Sequence, residues 1–382
     1  MKITVAIDSF KGCLSSGEAA DAAKRGILKA MPEAEVFTAP IADGGEGTAE
    51  AVVSALGGEW VELTVNDPLF RSVKARYGII NGTTAVIEMA TAAGLTLLRT
   101  SERDPLKTTT LGVGEIIRDA IGRGCRDFII GIGGSATNDG GIGMLSALGV
   151  RFFDKDGHDI LPTGGGLCEL DGIDLSGLMR EISECRFRVA CDVKNPLTGN
   201  DGCSAVFAPQ KGADDAAIAR MDAALDRYAD LTEQIIPKAD RSKSGAGAAG
   251  GLGFALCAYL GAELTSGTEL VMDAVGLENF IRESAVVVTG EGRLDGQSVM
   301  GKVPVGVARL AKKHGKTVFA FGGGVTRDAV TCHEYGIDAI FPSVRMPVTL
   351  DEAMQPDEAK RNLEEAVREA FEAFKAGIAL KF

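Results

Sequence analysis

The chain has 382 residues and a net charge of −13, and its length points to two domains rather than one core. With 45% hydrophobic and 24% charged residues it reads as an ordinary globular protein. No basic stripe or aromatic platform suggests nucleic acid as a partner, and no apolar run approaches the ~18 residues of a membrane span. Glycine is the outlier: 50 residues, about 13% against an average near ~7%, clustered after apolar runs where loops bring backbone N–H groups close to a ligand.

The N-terminus reads as a β-α-β unit: a strand over 3–7, the turn DSFKG, a helix over 16–31, and a strand over 35–41. Ser15 and Glu18 form a capping box at the helix start, and Pro32 stops it. The loop ADGGEG and a helix to residue 56 follow. Strands over 60–65, 73–80 and 84–90, joined by turns at NDP and NG, suggest hairpins. A helix over 111–121 precedes a strand over 128–132 and its Gly-rich loop, with further strands expected at 187–191 and 205–207. The Gly-, Ala- and Ser-rich segment 242–253 reads as a mobile or ligand-covering loop. Strands over 285–289, 317–321 and 339–341 then alternate with helices over 304–314 and 327–335. The last element is an amphipathic helix over 357–375, with Leu363, Val367, Phe371 and Phe374 on one face and Gly377 after it.

Alternating βα units at both ends predict an α/β fold. It has a doubly wound (Rossmann/flavodoxin-like) parallel-sheet domain made from 1–60 and 275–382, with a second mixed α/β domain, 61–274, inserted. Eight scattered cysteines without a CxxC pair fit reduced thiols in a cytoplasmic protein, and MKITVAIDSF is too short and polar for a signal peptide.

The densest chemistry lies in TGEGRLDGQSVMGKVPVGVA, after the apolar run at 285–288. Glu291, Arg293, Asp295 and Lys302 stand at the carboxyl end of a buried parallel strand, where open α/β sheets bind ligands, and the mixture suits a metal-complexed phosphate. Asp8 and Lys11 flank the first strand–helix turn, where Lys11 can neutralise a phosphate or carboxylate. After the second strand, Asp43 and Glu46 suit a cation or a hydroxyl donor, or a helix N-cap. Gly131, Gly133 and Ala136 satisfy G-x-G-x-x-A, with Asp154 at the ribose-binding distance, and Gly245, Gly247 and Gly250 satisfy G-x-G-x-x-G. Both read better as generic anion- or nucleotide-cradling loops, the first with Asn138 and Asp139 as extra polar groups. Gly296, Gly301 and Lys302 miss the Walker A pattern because Val303 stands where it needs Ser or Thr. Asp192 follows an apolar strand as a general base or magnesium ligand. The three histidines are isolated and give little support to a zinc site or a Ser-His-Asp triad.

Taken in order, DSFKG, IADGGEGT, GIGGSATNDGGIGM, CDVKNPLTG, VFAPQKGA, GAGAAGGLG and TGEGRLDGQSVMGKVPVGVA resemble the bacterial class-I glycerate kinase family over essentially the whole chain. The resemblance implies ATP-dependent phosphorylation of D-glycerate, with 2-phosphoglycerate as the usual product, and an active site in the cleft between two domains. Residues matching the family's motifs are Lys11, Asp43, Asn138, Asp139, Asp192, Glu291, Arg293, Asp295 and Lys302. The expected assignment makes Asp192, Lys11 and Asp8 catalytic. Lys302, Gly133, Gly134, Ser135 and Asn138 hold nucleotide phosphates, Arg71, Arg293 and Asp43 hold the substrate, and Asp295 and Glu291 hold Mg2+. The partners implied are ATP and D-glycerate, with a homodimer as a candidate assembly. Two other classes stay open: an NAD-dependent hydroxy-acid dehydrogenase, on the glycine fingerprints alone, and a non-catalytic binder of small sugar acids.

Overall fold

The computed structural model describes residues 1–45, 47–299 and 301–379. Its strands are β1 (Lys2–Ile7), β2 (Glu35–Pro40), β3 (Glu59–Asn66), β4 (Ser72–Ile80), β5 (Thr84–Glu88), β6 (Asp127–Gly131), β7 (Arg151–Phe153), β8 (Gly172–Asp174), β9 (Arg186–Ala190), β10 (Glu263–Thr265), β11 (Val286–Leu294), β12 (Thr317–Val325) and β13 (Ala339–Pro342). The chain divides into two compact units. The first comprises Met1–Asp43, Glu50–Gly57 and the chain from Thr268 onward; the second comprises Gly44–Ala49 and Gly58–Gly267.

The first unit holds a five-stranded sheet in the order β13-β12-β11-β1-β2, parallel throughout. Its strands are apolar on both faces, as a sheet covered on both sides requires. On one face Val5, Val288 and Phe319 meet Ile27 of helix Ser16–Ala30 and Leu363, Val367 and Phe371 of helix Pro356–Ala379. Alternate residues Val287, Val318 and Ala320 are buried too, and helix Val303–Lys313 lies against β11 and β12. The capping box at Ser15 forms, with the Glu18 N–H donating to Ser15 Oγ at 3.2 Å and the Ser15 N–H donating to Glu18 at 3.0 Å.

From β1 the chain winds outward to β2, and from β11 it winds the other way to β12 and β13. The carboxyl ends of β1 and β11 are therefore neighbours at the point where the winding reverses, which is the binding crevice of doubly wound sheets.

The second unit holds a six-stranded sheet in the order β10-β9-β6-β5-β4-β3, with a separate antiparallel pair β7-β8. β3, β4 and β5 form the expected antiparallel hairpins, while β5, β6, β9 and β10 run parallel. Its core gathers Tyr77, Phe128, Ile130, Phe187, Tyr228 and Phe254.

Several expectations need correction. Residues 205–207 belong to a helix, Cys203–Phe207, because three apolar residues cannot distinguish helix from strand and Gly202 opens a turn before them. Segment 242–253 is no covering loop: Gly250 and Gly251, in left-handed conformations, bring their backbone against 137–140, where a Cβ on Gly250 would lie 2.1 Å from the Thr137 carbonyl oxygen. The helix expected at 327–335 is 3-10, and the last helix runs past Gly377 to Ala379. Most consequential for the site, β11 and β12 continue beyond 289 and 321 into their glycines, because Glu291 pairs with Gly322 and Arg293 with Gly324. Glu291 and Arg293 are therefore strand residues with fixed directions, not members of a free loop.

Candidate functional site

In the first unit, the segment after β1 and the extension of β11 line one cavity of about 600 Å³. Asp8, Lys11, Glu291, Arg293 and Lys302 stand along its wall, and Gly292, Gly323 and Gly324 present bare backbone beside them. Asp43, in the loop after β2, accepts a 2.7 Å hydrogen bond from Lys11 Nζ. Six of the expected site residues are thus drawn to one place from three separate strand ends.

Asp8 is 3% exposed, and its carboxylate accepts the Ser9 N–H at 2.6 Å. Burial, then the negative charge of Asp43, pushes its pKa up to about 7 against the pull of the Ser9 N–H and Lys11, with Glu291 adding to the rise. Burial works against the Lys11 ammonium, but Asp43, Asp8 and Glu291 outweigh it, so Lys11 holds its proton more firmly than an ordinary lysine. Glu291 is also raised by burial, partly offset by Ser298 and Lys302. The Ser298 hydroxyl donates to one Glu291 oxygen, while Lys302 Nζ lies 3.5 Å from the other. Lys302 is the N-cap of helix Val303–Lys313 and makes no side-chain cap bond there, so its ammonium is directed by Glu291. Asp295 accepts the Gln297 N–H at 2.9 Å and lies 3.4 Å from Arg293 Nε. Glu46 lies outside the described residues.

The second unit carries the other expected residues. Gly131, ending β6, pairs with Ala190, ending β9, so the loop after 131 and Asp192 share the carboxyl edge of the parallel strands. Gly133 and Gly134 are exposed there, Gly134 with φ +73°. Asp192 is exposed, and one of its oxygens accepts the Gly267 N–H at 3.1 Å. Asn138 is fully buried and donates to Ser204 Oγ at 2.9 Å, and its own Oδ1 has no partner among the described residues. Asp139, also fully buried, accepts the Thr110 N–H and hydroxyl at 2.8 Å each and the N–H groups of Gly141 and Gly143 at 3.1 and 3.3 Å. Asp139 is the tie that shapes this loop. Arg71 sits in the β3–β4 turn, on the antiparallel part of the sheet, where Asp67 (2.6 Å) and Glu102 (2.9 Å) hold its guanidinium.

Sequence reasoning missed Lys211. It is buried, with Nζ donating to Ser135 Oγ at 2.8 Å and to the Thr137 carbonyl oxygen at 2.6 Å; burial lowers its pKa to about 8. The only signal was its place in VFAPQKGA. Ser298, the partner of Glu291, likewise had only its place in TGEGRLDGQSVMGKVPVGVA.

Neither glycine fingerprint forms a dinucleotide turn. After β6 the chain runs through a loop to Ile142 before a helix begins, and 249–251 are left-handed. Asp154 holds its own turn, accepting the N–H groups of Asp156 and His158 at 2.9 Å each. Among the described residues no helix is long and apolar enough to cross a membrane.

The glycerate kinase family profile matches residues 3–375. Glycerate 2-kinase of Escherichia coli (strain K12) is 48% identical over 356 residues, 93% of each chain, and glycerate kinase of Bacillus subtilis (strain 168) is 46% identical over 356 residues, again 93% of each. A crystal structure of a candidate glycerate kinase 2 from Salmonella typhimurium LT2 superposes with a TM-score of 0.92 at 46% identity, covering 99% of both chains. A match of that extent, with nearly half the positions identical in these relatives, makes this chain a member of the glycerate kinase family and an enzyme of that class.

Proposed function

We propose that the protein transfers the γ-phosphoryl group of ATP to the 2-hydroxyl of D-glycerate, giving ADP and 2-phospho-D-glycerate. The observation that carries this reading is the pairing of Lys11 and Lys302 with a buried acid cluster at the switch point of the parallel sheet. Phosphoryl transfer asks the protein chiefly to position reactants and offset spreading negative charge, and two lysines held in place by carboxylates suit that task. The choice of the 2-hydroxyl follows the name of the Escherichia coli relative.

In the assignment we favour, the glycerate hydroxyl oxygen attacks the γ-phosphorus, the bond to the ADP oxygen breaks, and Asp192 accepts the hydroxyl proton. Its exposure at a strand end suits a group that must meet substrate. Lys11 and Lys302 hold phosphate oxygens, and the exposed Gly133–Gly134 backbone offers N–H groups to the same end, with Ser135 and Asn138 supporting the loop from within. Arg293, 71% exposed, and Arg71 are the cations for the glycerate carboxylate, and Asp43 orients Lys11 beside the substrate. Asp8, titrating near neutrality, is placed to exchange a proton with a phosphate oxygen.

The residues present fit Mg2+: the carboxylates of Asp43 and Glu291 raise the proton affinity of buried Asp8, Asp295 raises that of Glu291, and a hard divalent cation with oxygen ligands relieves that repulsion. Glu291 and Asp295 would hold it, and the ion would neutralise phosphate charge. Eight free thiols suit a reducing, cytoplasmic setting.

ADP should form only when ATP, a divalent metal and D-glycerate are all present. NAD reduction with glycerate and no ADP would overturn the reading. Asp192→Asn should cut turnover while MgATP affinity stays near the parent value, and Asp295→Asn should raise the magnesium concentration needed for half-maximal rate. Near-normal turnover in the first, or an unaltered metal requirement in the second, removes that role.

A further inference from the structure

The lining of the cavity at the switch point is of two kinds. Lys11, Glu291, Arg293 and Lys302 are charged; Phe10, Val344, Val348, Leu350 and Met354 are apolar. The charged lining suffices for phosphates. D-glycerate, a three-carbon acid with a polar group on every carbon, has no use for the apolar lining, and a volume of about 600 Å³ far exceeds it.

Two residues of the apolar lining are exposed. Leu350 is 73% exposed and Val348 43% exposed, so large apolar side chains face water at the mouth of a cavity that already has a buried core beside it. Such a patch is a common mark of a binding site. Opposite in character is the β12 extension, where Gly324 lines the cavity and an added Cβ would meet no atom within 4 Å, while one on Gly323 would come 2.6 Å from the Gly292 carbonyl oxygen. Bare strand backbone on one wall and flexible apolar chains on another leave a slot suited to a flat ring. Asn362, half-buried on helix Pro356–Ala379, adds an amide able to read a ring edge.

We propose that this apolar lining binds the purine base of the nucleotide, with the phosphates running along the same cavity to Lys11 and Lys302. The assignment rests on the kinase reading above, because ATP joins an aromatic base to a polyanion as this cavity joins an apolar slot to two lysines. The base takes its energy from apolar contact with Met354, Val348 and Leu350.

The test uses the full-length protein and two probes that share the phosphates but not the base: MgATP and magnesium tripolyphosphate. Leu350→Asp and Val348→Asp place a carboxylate at exposed positions, so an unchanged thermal midpoint checks the fold. Each should weaken MgATP binding by calorimetry, and raise its KM, by about tenfold or more, the loss expected when a charge replaces an apolar contact with a ring. Tripolyphosphate affinity should stay within about twofold of the parent, and Leu350→Met should behave as the parent does. The proposal is overturned if MgATP affinity is unchanged in both acidic variants, if tripolyphosphate weakens as much as ATP, or if KM rises for glycerate and not for ATP. Absence of ADP formation by the parent protein would instead sink the kinase reading, and calorimetry with the two probes would still report on the slot.

Discussion

Burial of Asp8 beside Asp43 sets a cost that the fold bears at neutral pH. In the unfolded chain Asp8 loses its proton near pH ~4, whereas in the fold it does so near about 7. Between those values the folded state holds more protons, so stability falls as pH rises from about 4 to 7, and the cost is complete above that. Asp8→Asn should therefore raise the unfolding free energy of the metal-free protein at pH 8, by an amount on the order of 2–4 kcal/mol and with it the midpoint, yet leave both unchanged near pH 4, while lowering turnover. Equal midpoints at both pH values would mean that Asp8 is not strained. Lys11→Ala and Lys302→Ala should each lower kcat by about 10²–10³, since loss of a charge-assisted contact to a transferring phosphoryl group costs about 3–4 kcal/mol. Unchanged kinetics in both would place the phosphates elsewhere. Charged residues next to apolar runs were legible as candidate site residues without coordinates. Lys211 was not, because what distinguishes it is burial against Ser135 and Thr137, far away in the chain; nor was Ser298, a small hydroxyl whose bond to Glu291 depends on the turn between them.

At the scale of elements, the helices at the two ends of the chain are in close contact. A Cβ on Gly26 would lie 2.4 Å from the Glu364 carbonyl oxygen, so helix Ser16–Ala30 approaches helix Pro356–Ala379 through a position only glycine can fill. Gly26→Val should destabilise the protein by about 1–3 kcal/mol in chemical denaturation, despite valine's greater apolar surface, because rigid backbone stands in the way. A neutral or stabilising result would show that the helices separate freely. The apolar stripe of Leu363, Val367 and Phe371 made this docking face readable, and Ser15 and Glu18 marked the start of its partner helix. Glycine misled the reading in both directions. In β11 and β12 it signalled a loop, yet the ladder continues through Glu291 and Gly322 because paired neighbours satisfy the backbone. In 242–253 it signalled mobility, yet Gly250 is there because the Thr137 carbonyl leaves no room for a side chain. Both outcomes depend on the neighbouring chain, which local sequence does not contain.

For the whole molecule, the alternation of short apolar strands with capped helices pointed to a parallel sheet built from both ends of the chain, and β1 lies between β2 and β11 in that sheet. Its strand order decides where chemistry collects: only the β1 and β11 ends adjoin at the reversal of winding, and they deliver Asp8, Lys11, Glu291 and Arg293 to one cavity. The sequence did not reveal that cavity's apolar lining, which comes largely from residues 344–354 and stands with the bare glycines of β12. The central claim is that this enzyme phosphorylates the 2-hydroxyl of D-glycerate. Incubation with ATP, magnesium and D-glycerate, followed by proton-coupled phosphorus NMR, tests it most directly. A product resonance split into a doublet by the single C2 proton is the expected result; a triplet from the two C3 protons, or no phosphoglycerate resonance, would contradict it.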